Sequence, residues 1–158
     1  MALTAAQRWN IKPRGWGSDV ASFKVLNSEV IYHGALVLLD KQDGYLRNLE
    51  DASGTDDRFC GIAIPKTASV TGDTGASPVV ECAVDISGVT LEKVAVTGAS
   101  AVTNTGDSVF ATDENTLTLT QTTNLKKIGI VTRWYSSTTC DVKLVSMMEY
   151  FSLIGTTE

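Results

Sequence analysis

Between Thr97 and Tyr135 the chain alternates apolar and polar residues in short runs, each stopped by a turn signal. Gly106-Asp107 precedes VFA, Asp113, Glu114 and Asn115 separate that run from TLTLT, and Asn124 precedes IGIVTRW. Successive side chains leave a strand on opposite sides, so a period of two requires a half-buried antiparallel sheet. Leu117 and Leu119 are expected on one face, with Thr116, Thr118 and Thr120 on the other. In the next strand Ile128, Ile130 and Trp134 are expected to oppose Gly129, Val131 and Arg133. The stretch reads as a meander that organises the chain.

The same grammar extends on both sides. EVIYHGALVLLD is an apolar run whose Gly34 marks a bulge or a close approach of two backbones. Asp43-Gly44 is a hairpin signal leading into YLRNL. In RFCGIAI, Cys60, Ile62 and Ile64 are expected on one face, with Pro65 as the stop. KTASVTGDTGAS reads as a long loop or flap. In VVECAVDI, Val80, Cys82, Val84 and Ile86 face in while Glu81 and Asp85 face out. LEKVAVTGASA favours strand or turn over helix, Val142 and Leu144 face in, and MMEYFSLI closes the chain as a strand or short helix. Eight to ten strands with turns every 8–12 residues define an all-β fold, a single antiparallel β-barrel or β-sandwich. The sequence shows no strict internal repeat.

Residues 1–27 differ and read as an extended N-terminal arm on a body of residues 28–158. Pro13, Gly15 and Gly17 break any helix there, and Trp9 and Trp16 need a surface to cover them. Charge separates the two parts. Residues 1–25 hold four basic residues against one acidic, a net +3, while the rest holds nine basic and seventeen acidic, a net −8. A basic arm on an acidic body docks on something acidic: its own core, or a neighbouring subunit. The candidate interface residues are Arg8, Trp9, Lys12, Arg14 and Trp16 from the arm, with Tyr150 and Phe151 from the apolar C-terminal run. The acidic body argues against direct nucleic-acid binding, which needs a basic surface to release counterions.

Little in the chain points to chemistry. His33 is the only histidine and has no GxSxG elbow to serve, so it reads as a satisfied strand residue. Asp51, Asp56 and Asp57 lack the alternating spacing of a calcium loop, and the acidic stretch EDASGTDD reads as an exposed, solvated turn. TGDTGASP lacks the GK[ST] ending of a phosphate loop. Cys60, Cys82 and Cys140 are odd in number and widely spaced, which indicates buried thiols rather than disulfides or zinc. We expect no enzyme activity, no cofactor and no metal. The N-terminus lacks the apolar core of a signal peptide and no run is long enough to span a membrane.

The order of GALVLLDKQDGYLRNLED, RFCGIAI, VVECAVDISGV, VTNTGDSVFATDENTLTLT and KIGIVTRW resembles capsid decoration (cement) proteins of tailed bacteriophages, over roughly residues 30–146. The resemblance implies a β-rich structural protein on the capsid exterior of a virion, made in the host cytoplasm. It implies a homotrimer that clamps neighbouring subunits of the major capsid protein, and it carries no catalytic residues. Two other readings fit the composition: another virion component (tail, connector or fibre base), or a carbohydrate-binding β-module using Trp134 and Tyr135.

Overall fold

The computed structural model describes residues 3–12, 19–50, 57–75, 77–122 and 125–153. It contains a five-stranded sheet, a closed five-stranded barrel, a two-stranded ribbon and one terminal helix. The sheet is built from β1 (Val20–Lys24), β3 (Leu36–Leu39), β4 (Leu46–Asn48), β5 (Arg58–Ala63) and β7 (Glu81–Asp85), in the order β1-β7-β5-β3-β4. The ribbon pairs β2 (Val30–Tyr32) with β6 (Ser69–Thr71). The barrel uses β8 (Thr90–Thr97), β9 (Ser108–Asp113), β10 (Thr116–Thr118), β11 (Lys126–Ser136) and β12 (Thr139–Leu144). Helix α1 (Met147–Leu153) follows, started by a reciprocal cap. Glu149 Oε2 accepts the Ser146 N–H at 2.7 Å, and Ser146 Oγ accepts the Glu149 N–H at 3.1 Å.

The meander is only partly sequential. β9 lies between β10 and β11, and the barrel shuts because β10 pairs in parallel with β8, Leu117 opposite Val96. The five-stranded sheet curls toward the same closure. A parallel bridge joins Val25 to Leu46, and the Leu26 N–H donates to the Leu46 carbonyl at 2.9 Å.

These two units are a structural repeat that the sequence conceals. β8, β9, β10, β11 and β12 neighbour one another as β1, β3, β4, β5 and β7 do, and the registers coincide except that β8 bulges against β12 where β1 runs regularly along β7. Val37 opposes Gly61 and Leu38 opposes Phe59, skipping Cys60; Val109 opposes Gly129 and Phe110 opposes Lys127, skipping Ile128. Ile62 pairs with Asp85 and Ala63 with Val84; Ile130 pairs with Lys143 and Val131 with Val142. Both repeats enter their second main strand through a glycine of positive φ, Gly34 (88°) and Gly106 (97°). Each of these glycines donates its N–H at 2.8 Å to the equivalent carbonyl, Ala63 or Val131. The interiors match as well: Val25, Val37, Leu46, Cys60, Ala63, Cys82 and Val84 in the first, Val96, Val109, Leu117, Ile128, Val131, Cys140 and Val142 in the second.

The shared bulge overturns two expectations of facing. Each bulge opposes two residues to one and reverses the phase of the strand. Cys60 therefore enters the first interior while Ile62 joins the other core cluster, so the two do not share a face. In β11, Ile128 and Val131 are both buried, while Ile130 is 38% exposed. Three further expectations change. The polar stretch after Lys66 contains β6, Asp57 of the acidic loop is buried, and β1 lies inside the segment read as arm. Asp51–Asp56 lie outside the described residues. Gly34 does mark a close backbone approach, and the alternation of β7 and β12 is as expected.

Candidate interface

The first described part of the arm, residues 3–12, is a strap tied across both repeats by its backbone. The Leu3 N–H donates to Glu114 Oε1 at 2.6 Å and the Gln7 N–H to the His33 carbonyl at 2.7 Å. Trp9 packs against the large core cluster, and its Nε1–H donates to the Gly34 carbonyl at 2.7 Å. The strap then pairs antiparallel with the outer edge of β8. Ile11 bridges Leu91, the Glu92 N–H donates to the Asn10 carbonyl at 2.6 Å, and the Lys12 N–H donates to the Thr90 carbonyl at 2.9 Å. Arg8, Asn10, Ile11 and Lys12 remain exposed along this ridge. Beside it runs an open groove of about 550 Å³, lined by Trp9, Ile11, His33, Ile62, Ile64 and Lys66 among others. His33 sits in the turn after β2, not within a strand, with Nδ1 3.3 Å from the Pro65 carbonyl.

The residues singled out from the sequence separate into three groups. Arg8, Trp9 and Lys12 lie on the strap, the two charges outward and the indole inward. Arg14 and Trp16 lie outside the described residues. Tyr150 and Phe151 do not join the strap. Tyr150 is 3% exposed, stacked edge-on against Phe59 at 6.2 Å, and burial raises its phenol pKa. Phe151 is half-buried, with the Arg58 guanidinium 5.7 Å from its ring centre. An apolar C-terminal run gave no way to tell a helix turned onto its own body from one offered to a partner.

Trp134 and Tyr135 are both half-buried. Trp134 is packed against the barrel core, and its Nε1–H donates to the Ser137 carbonyl at 2.8 Å. Arg133 lies 4.7 Å and Lys93 5.6 Å from the Tyr135 ring centre, and the Tyr135 hydroxyl donates to Asp141 Oδ2 at 2.8 Å. The three cysteines are free and buried in β5, β7 and β12. Burial, reinforced by Cys82, pushes the Cys60 thiol up to about 12, and burial pushes Cys82 up to about 11. Burial raises Cys140 as well, and all three thiols pack in the two interiors.

Among the described residues no group of three or more His, Cys, Asp or Glu is arranged to hold a metal ion, and no helix is long and apolar enough to cross a membrane. No protein-family model matches the chain, and no curated protein matches it in sequence.

Proposed function

We propose that this protein is a non-enzymatic capsid decoration (cement) protein of a tailed bacteriophage. It binds the outer surface of the head as a homotrimer and clamps neighbouring subunits of the major capsid protein. The observation that carries the reading is the strap: a basic, partly apolar ridge whose backbone is hydrogen-bonded near both ends to the double-repeat body. A clamp binds best through a surface already ordered, because ordering loops and side chains on contact costs affinity. Arg8 and Lys12 give this ridge positive charge on a chain of net −5, which orients an otherwise acidic protein toward an acidic docking surface. The order of sequence motifs supports the same reading. The packing of Trp134 on the barrel core and the two cations beside the Tyr135 ring count against the carbohydrate-binding alternative.

Co-sedimentation with mature phage heads tests the proposal. Wild-type protein pellets with the heads, distributed across the shell in electron micrographs, and the double variant Arg8→Ala/Lys12→Ala pellets at least several-fold less while remaining folded. Failure of the wild-type protein to bind heads overturns the reading. Labelling confined to the tail or neck replaces it with the other virion-component reading.

A further inference from the structure

The repeat exposes an asymmetry between two equivalent strand edges. In β8 the residues that turn their backbone outward are Thr90 and Glu92, and the strap satisfies both. Their counterparts in β1 are Val20 and Ser22. Val20 pairs with Asp85 where Thr90 pairs with Lys143, and Ala21 pairs with Val84 where Leu91 pairs with Val142. Facing is fixed by the neighbouring bonds. The Asp19 carbonyl accepts the Ile86 N–H at 3.0 Å and the Val25 N–H donates to the Val80 carbonyl at 2.9 Å, so odd-numbered residues face β7. The Leu26 N–H reaches β4, so even-numbered residues face the other way. Among the described residues no strand stands outside Val20 and Ser22, and Val20 is 49% exposed.

We infer that the outer edge of β1 is a strand-addition site, and that its occupant is β1 of a second copy of this chain, running antiparallel about a twofold axis at Ser22. An unpaired edge is a template for another strand. The equivalent edge of β8 accepts an antiparallel segment of this same chain. Among the described residues, the strap is committed to β8 and no other segment pairs with the β1 edge, which leaves that edge open to a second chain. The strand is self-complementary in this register. Pairing about Ser22 sets Val20 opposite Lys24, which keeps the two lysines from facing each other and sets an apolar side chain against each lysine stem. Because a twofold contact uses the same edge on both chains, it closes as a pair and does not propagate. The inference does not rest on the cement reading.

The test is Ser22→Pro in the full-length protein. The Ser22 N–H points away from β7, so proline removes a donor to the second copy and none from the sheet. The expected result is a light-scattering mass half that of the wild type, with the far-UV spectrum and melting temperature retained. Ser22→Cys gives an independent arm. Opposed residues in such a pair have Cα atoms about 5.5 Å apart, within disulfide reach, and mild oxidation yields a covalent pair on a non-reducing gel. If Ser22→Pro fails to fold, the cross-link decides. A folded Ser22→Pro of unchanged mass, or a Ser22→Cys that forms no covalent pair, overturns the inference.

Discussion

The carbonyl oxygen of Gln7 occupies the place where a β-carbon at Gly34 would stand. Gly34 also has φ 88°, a left-handed conformation that costs an L residue. Both facts tie the strap to this one residue. Gly34→Ala is expected to destabilise by about 2–4 kcal/mol, combining backbone strain with loss of strap contacts. Gly44 has φ 77° with open space around it, so Gly44→Ala reports the strain alone, about 1–2 kcal/mol. Urea unfolding of the two variants measures the difference, and proteolysis after Arg8 accelerates only in the first.

Trp9 joins the strap to both repeats, packing on the barrel core while bonding to Gly34. Trp9→Phe keeps most of the apolar body and loses the N–H donor, an expected cost of about 1 kcal/mol. Trp9→Ala loses the packing too, and about 2–4 kcal/mol is expected for a partly buried indole. Equal unfolding midpoints for the two variants would show that packing contributes nothing.

Gly61 and Gly129 hold the same station in the two repeats. A β-carbon on Gly61 meets the Asp85 carbonyl, and one on Gly129 meets the Lys143 carbonyl, its register equivalent. Each obstacle is backbone in the next strand and cannot rotate away. Gly61→Ala and Gly129→Ala are each expected to cost more than about 3 kcal/mol or to abolish folding. Soluble expression and thermal melting check this. A variant within about 0.5 kcal/mol of wild type, the range of ordinary surface changes, would contradict the shared bulge geometry.

The Cys60 and Cys82 thiols are neutral and buried, with values raised to about 12 and about 11 from 9.0. Above pH 9 the unfolded chain releases protons that the native chain keeps, so stability falls as pH rises through this window. Cys60 alone accounts for about 1.4 kcal/mol per pH unit between about 9 and 12. Cys82 adds a loss of the same sign. Urea midpoints taken at pH 8, 9 and 10 should fall slightly in the first step and more in the last. At pH 8 the native protein should resist iodoacetamide, and unfolded protein should react at three sites.

Much of the local structure is legible in the sequence because it follows from local rules. Alternation in VVECAVDI and in TCDVKL gave β7 and β12 their inward faces, and Asp43-Gly44 marked its hairpin. The basic arm with its two tryptophans was visible as charge and composition. Where the strap lies was not, since an indole needs cover and the sequence does not say whose. Tyr150 shows the same limit: an apolar terminal run looks alike whether it covers Phe59 or awaits a partner.

The sequence by itself determined that this is an all-β chain with a basic arm, because side-chain alternation, turn residues and charge act within a few residues. Only the tertiary structure decided the bulges, the parallel closures and the repeat. Cys60 and Ile128 share a station although one is a thiol and the other an aliphatic, and Phe59 shares one with Lys127. Register is set by backbone hydrogen bonds between distant strands, which tolerate almost any side chain of suitable burial. Two halves therefore keep one geometry while their residues diverge, and only the paired backbones display it.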